Sequence, residues 1–322
     1  MSEKQYTYAV ARIRAKELSL LSSAAVEQLL AGKSYDECLH TLAEKGWGDD
    51  GTLTAEQLLE NEREQTWALI AELVDDMSVF DVFLYANDYH NLKAAIKQVC
   101  TETEHKNIFI SNGTVDSELI LTAIKEHNYS MLPADMREPA QEAFEALLHT
   151  RDGQLCDMIV DKAALNAIYK AGLSAENELL KLYAELTVAA ANIKTAVRCQ
   201  KTGKSLDILQ RALAQCSTLD VDRLAHAAVI GFDAICEYLE STTYTDAVAE
   251  LRTSPSAFER WCDNLIIRKI RPQLYNPFTI GPLAAYILAR ENEIKTVRII
   301  LSGKLNGLSE ESIRERCREM YV

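Results

Sequence analysis

Two places in this 322-residue chain spell the end of a phosphate-cradling loop. Thr202-Gly203-Lys204-Ser205 and Ala31-Gly32-Lys33-Ser34 each set a lysine and a hydroxyl after a glycine. That set grips nucleotide phosphates when another glycine stands five residues earlier and a strand leads in. Arg198 and Glu27 occupy the earlier positions here, and a helical pattern leads into Gly203. Both places read better as a glycine ending one helix and a serine opening the next, so no direct nucleotide binding is expected. The six histidines (His40, His90, His105, His127, His149 and His226) form no pair at metal-ligand spacing on one helix face. No Gly-x-Ser-x-Gly elbow occurs. Asp49-Asp50, Asp75-Asp76 and Glu310-Glu311 are adjacent acids, which point in different directions on a helix. The sequence therefore predicts no catalytic residue, no metal and no cofactor.

The elements that would have to position any such group are helices. Gly (12) and Pro (6) are too few for a turn-rich fold of this length, and apolar residues recur at helical spacing. Tyr6, Val10, Ile13 and Leu20 make one stripe, with Arg12, Arg14 and Lys16 largely off it. Ser34-Tyr35-Asp36-Glu37 and Thr54-Ala55-Glu56-Gln57 are capping boxes. They predict helices ending near Gly46 and near Asp75. Asn107-Ile108-Phe109-Ile110-Ser111 is the one tempting strand, too short to build a sheet. The fold class expected is all-α.

Eight cysteines lie no closer than 17 residues apart, which excludes a Cys-x-x-Cys pair and favours buried reduced thiols. No run reaches the roughly 18 apolar residues of a membrane span. The amphipathic start after Met1-Ser2-Glu3-Lys4-Gln5 is no signal core, which predicts a cytosolic chain. A net charge of −14 repels phosphate backbones and anionic membranes, so nucleic acid is excluded as a partner and basic protein surfaces are favoured.

One pattern recurs three times. Asn91-Leu92-Lys93-Ala94-Ala95-Ile96-Lys97, Asn192-Ile193-Lys194-Thr195-Ala196-Val197-Arg198 and Glu293-Ile294-Lys295-Thr296-Val297-Arg298 place their lysines 101 residues apart both times. A capped helix follows each, opened by an apolar pair astride the cap: Val115-Asp116 with Ile120, Leu219-Asp220 with Leu224, and Leu308-Ser309 with Ile313. One structural unit used three times is the natural reading. It divides the chain into residues 1–115, 116–218 and 219–322. Asp161 and Asp263 precede Lys194 and Lys295 by 33 and 32 residues, which suggests Asp161–Lys194 and Asp263–Lys295 as pairs between helices.

Two segments resemble the C subunit of prokaryotic V/A-type rotary ATPases, the relative of the d subunit of the eukaryotic proton pump. They are Tyr6–Leu18 with Glu27-Gln28-Leu29-Leu30, and Glu293–Leu308 with Ile313-Arg314-Glu315-Arg316. The resemblance implies a funnel of three similar helical bundles around a pseudo-three-fold axis. It also implies a non-catalytic rotor subunit that joins the central-stalk subunits to the membrane rotor ring and transmits torque for proton or sodium transport. Such a subunit lies on the cytoplasmic face of the membrane, held peripherally through the ring. Acidic residues then line the axial socket or face basic ring loops. Lys93, Lys194, Lys295, Arg298 and Arg314 are the candidate charges, either presented to the stalk and ring or paired between helices within their own bundles. A helical-repeat adaptor that binds partner helices is the alternative, although its repeats usually run only about 30–50 residues.

Overall fold

Side-chain caps start most of the helices, and their positions follow the sequence closely. Thr54 closes a complete capping box with Gln57, and Ser34 accepts the Glu37 N–H while the Glu37 carboxylate takes the Lys33 N–H. Asp116, Asp152, Asn177, Asp220, Ser254 and Ser309 cap in the same way. The computed structural model describes residues 6–48, 53–103 and 107–322. Among these residues there is no strand, and the all-α class is confirmed.

The elements in order are α1 (Thr7–Glu17), α2 (Ser23–Ala31), α3 (Tyr35–Glu44), α4 (Ala55–Leu73), α5 (Tyr85–Thr101), α6 (Ser117–Lys125), α7 (Ala134–Thr150) and α8 (Gly153–Ser174). They continue with α9 (Glu178–Lys201), α10 (Leu206–Ala212), α11 (Val221–Ile230), α12 (Phe232–Glu240), α13 (Ala247–Thr253), α14 (Pro255–Ile270), α15 (Gly281–Leu305) and α16 (Glu310–Arg314). The chain falls into two compact units, Met1–Met77 with Ala249–Val322, and Ser78–Val248.

In the first unit the core joins the two ends of the chain. Leu29, Leu30, Leu42 and Leu59 from α2, α3 and α4 meet Ile294, Val297, Ile300 and Leu301 of α15. Every residue from Leu283 to Ala289 is buried, so α15 is enclosed on all sides there. In the second unit Leu92 and Ile96 of α5 pack with Ile120 and Ile124 of α6, Ala140 and Phe144 of α7, and Cys156 and Val160 of α8. Gly172 lies where α8 and α9 cross, and a Cβ there would collide with Ala184.

The long helices α5 and α9 hold neighbouring extended segments with one device. Asn91 Nδ2 donates to the Ile110 carbonyl at 2.9 Å, while the Ile110 N–H donates to Asn91 Oδ1 at 2.8 Å. Asn192 repeats this on Ala214, at 2.7 and 2.9 Å. Nearer each cap a carboxylate takes the next amides. Asp88 accepts from the N–H groups of Thr114 and Val115 and from the Thr114 hydroxyl. Glu185 accepts from the N–H groups of Ser217 and Thr218 and from the Thr218 hydroxyl. Gly113 must lack a side chain because a Cβ would strike the Asp88 carboxylate. The Ile108–Ile110 stretch forms no strand: the Ile108 carbonyl meets His90, and the Ile110 peptide groups pair with Asn91 of α5.

Two outcomes follow. Asn192→Ala strips both partners from the buried Ala214 peptide groups, and stability in urea unfolding should fall by about 2 kcal/mol. Burial raises the Cys156 thiol to about 11, so a thiol reagent at neutral pH should label Cys156 only as the chain unfolds.

Candidate functional site

The repeated lysines stand on α5, α9 and α15, one in each copy of the pattern. Lys93 Nζ donates to Asp161 of α8 at 2.7 Å, and Lys97 reaches Asp157 of the same helix at 2.6 Å. The spacing predicts Asp161 beside Lys194; the structure instead brings it to Lys93, because α8 lies along α5 and faces its lysines. Lys295 meets Asp263 of α14 at 2.6 Å, and Arg318 Nε shares that carboxylate at 2.8 Å. Arg298 pairs with Glu56 of α4 at 3.0 Å, and Arg314 with Glu27 of α2 and Glu310 of its own helix. Lys194 is exposed on α9. These charges stand mostly at the surface, where an ion pair contributes under about 1 kcal/mol and is screened by salt.

The position two residues before each lysine carries more structure. Asn91 and Asn192 clasp backbone, and Glu293 does the corresponding work in the first unit by accepting the Leu21 N–H. Leu21 immediately precedes Ser22, the cap of α2, just as Val115 precedes Asp116. Glu293 and Glu62 of α4 flank Arg290, whose guanidinium lies 5.0 Å from the Trp47 ring centroid. Asn91, Asn192 and Glu293 open the repeated pattern, but nothing in it marks them as clasps, and Glu62 and Arg290 belong to no motif. The signal that could have found them is an asparagine in the interior of two otherwise strong helices, where its propensity is poor.

A polar cleft of about 370 Å³ opens in the first unit beside α14. Arg260, Arg268 and Arg318 line it with Glu250, Glu319 and Trp261. Arg268 is bonded to Glu319 and Arg260 to Glu250, so the cleft's cations are largely neutralised within the chain. Large apolar side chains stand exposed at helix ends: Leu18 after α1, Tyr275 before α15, Leu173 on α8 and Ile230 on α11.

Among the described residues no group of three histidine, cysteine, aspartate or glutamate side chains is placed to hold a metal ion. His105 and Asp49-Asp50 lie outside the described residues. The Thr202–Ser205 stretch is a helix end, with Gly203 in the left-handed region at φ 62° and the Thr202 hydroxyl bonded back to the Arg198 carbonyl. Gly32 likewise caps α2, with its N–H on the Leu29 carbonyl. No described helix is long and apolar enough to cross a membrane.

Comparison with known proteins gives this geometry a context. The family described as ATP synthase (C/AC39) subunit matches residues 9–316. The C subunit of an A-type ATP synthase from Desulfurococcus sp. (strain SY) is 25% identical, covering 98% of this chain and 91% of that protein. The C subunit of the V-type sodium ATPase of Enterococcus hirae is 23% identical, covering 96% and 97%. The C subunit of a V-type ATP synthase from Thermus thermophilus is 24% identical, again covering 96% and 97%. With the family pattern running through both units, the chain belongs to the ATP synthase (C/AC39) subunit family, as the C subunit of a V/A-type ATPase.

Proposed function

We propose that this chain is a non-catalytic rotor subunit that couples the central stalk of a V/A-type ATPase to its membrane ring. The observation that carries the reading is the bracing of its long helices. Each of α5, α9 and α15 is held near its middle by side-chain bonds to a separate connecting segment. A helix packed at crystal-like density and pinned in this way resists bending and sliding, which torque transmission requires. The chemistry the chain carries points the same way. Many of its charged groups are matched to each other, and its exposed helix ends carry large apolar side chains.

The three-unit division at about residues 115 and 218, with pseudo-three-fold closure, belongs to this proposal. Its support is that an asparagine clasp followed by a capped helix recurs on α5 and α9, and that Glu293, at the same place in the repeat, holds a third segment by one N–H. In the third, the segment clasped to α15 comes from the start of the chain, 272 residues upstream of Glu293. Stalk subunits would engage one end and the rotor ring the other, placing the chain peripherally at the membrane. The ion moved, proton or sodium, is decided by the ring. Lys93, Lys295, Arg298 and Arg314 serve this reading as charges that join helices, Lys194 as an exposed charge of α9, with the apolar helix ends making the contacts.

A tagged copy recovered from detergent-solubilised membranes of its own cells should bring down the apolar ring subunit together with stalk subunits. Recovery of soluble partners alone would instead make the chain a helical adaptor. In a reconstituted complex, omitting this chain should leave ATP hydrolysis by the head in place and abolish ATP-driven ion uptake; uptake at the normal rate would overturn the coupling role. Lys295→Met, which removes a half-exposed pair with Asp263, should change stability by less than about 1 kcal/mol in thermal unfolding. It should also leave recovery of both partners intact.

A further inference from the structure

Two of the three clasps use an amide and the third uses a carboxylate. Asn91 and Asn192 each offer a donor and an acceptor to one backbone residue. Glu293, at the same place before its lysine, has only acceptors when ionised. One of its oxygens takes the Leu21 N–H and the other takes Arg290 Nη1. Arg290 is shared: Nη2 goes to Glu62, and Nε to the Thr66 hydroxyl at 3.3 Å. Glu62, Arg290 and Glu293 are only 4%, 6% and 1% exposed. Two carboxylates thus divide one guanidinium in a dry site, one positive charge short of balance. A second sign of the deficit is that Glu62 Oε1, fully buried, has no hydrogen-bond partner among the described residues.

Among the described residues the surrounding elements supply no further cation. On α1 the buried Glu17 is bonded to Arg14, which is also committed to the carbonyls of Gln273 and Asn276. On α15, Tyr286 stands one turn before Arg290, with its hydroxyl kept neutral by burial. The Tyr321 hydroxyl of the C-terminal segment turns to Glu17 at 3.4 Å.

We propose that the Glu62–Arg290–Glu293 cluster is a proton-binding site, in which Glu293 takes up the proton. The protonated carboxyl still accepts the Leu21 N–H through its carbonyl oxygen, and Glu62 Oε1 is the cluster's carboxylate oxygen without a partner among the described residues. The connection between α1 and α2 is then held on α15 without a buried excess charge. Burial is the largest influence on Glu293; opposed by Arg290 and the Leu21 N–H, it raises the carboxyl from 4.5 to about 6. A folded-state value above the unfolded one means that the folded chain binds the proton more tightly. The contribution of this group to stability therefore grows as pH falls from above 6 towards 4.5, and is lost as pH rises through 6. The site needs neither stalk nor ring, so it stands apart from the coupling role.

The test uses the isolated full chain at pH 5 and pH 7.5. Amide exchange at residues 18–22, corrected for intrinsic rates, should quicken by at most about tenfold at the higher pH, the limit that a rise from 4.5 to about 6 sets between pH 5 and pH 7.5. Glu293→Gln should abolish that difference and be the better protected of the two proteins at pH 7.5. An unchanged pH profile in Glu293→Gln, or weaker protection than wild type at pH 7.5, would show that Glu293 serves only as an ionised partner of Arg290 and would overturn the proposal. Should the variant not fold, infrared difference spectra of the wild-type chain decide. A buried protonated-carboxyl band gained between pH 7.5 and pH 5 supports the site, and its absence refutes it.

Discussion

Backbone that lies extended against a helix has no ladder to join, and its N–H and C=O groups must still be satisfied once water is excluded. This all-α protein meets the requirement from the side chains of its long helices. Asn91 serves Ile110 and Asn192 serves Ala214, while Asp88 and Glu185 gather the amides that follow. Much of the rest depends on these bonds. They fix where each connection leaves the surface of its helix, and hence where Asp116 and Asp220 can cap the next one. They also explain why asparagine is kept in a helix interior, where it costs a few tenths of a kcal/mol against alanine. An alanine there would leave two buried peptide groups unpaired, a far larger loss.

Charge is used in two distinct ways. At the surface, pairs such as Lys93–Asp161, Lys295–Asp263 and Arg298–Glu56 join neighbouring helices. Several such pairs along one helix pair set orientation and register more than stability. Inside the first unit, Arg290 holds two carboxylates away from water, and there the desolvation cost is large enough that the protonation state becomes part of the structure. The net charge of −14 belongs mainly to the first kind, as an excess of acid over the exposed faces.

Local features of the fold were legible in the sequence because they depend on residues within one or two turns. The Thr54 box, the Asp220 cap with Leu219 and Leu224 beneath it, and the glycine stop after α9 all follow from short-range rules. The apolar pair around Ser309 was only half right: Ile313 is buried, but Leu308 is 39% exposed. Partners across the fold were less legible. Asp161 lies 33 residues before Lys194, a spacing close to that of Asp263 and Lys295, yet its carboxylate meets Lys93. Sequence separation carries no information about which face of α8 turns towards α5. The Glu293–Leu21 contact was out of reach for the same reason, although its position in the repeat was in plain view.

The carboxylate at that position is what sets the third clasp apart, and the reason lies in what the helix must hold. Asn91 and Asn192 reach segments 19 and 22 residues downstream, which the chain itself keeps close. Glu293 must hold the beginning of the chain, and no short connection helps it. There the cost of ordering the segment is greatest, and one neutral hydrogen bond contributes only about 1 kcal/mol. A carboxyl joined to Arg290, with Glu62 and Thr66 of α4 drawn into the same cluster, ties α4 and α15 to the connection between α1 and α2 at one point. The penalty is an unbalanced buried charge, and that imbalance joins protonation to the bracing of a long helix.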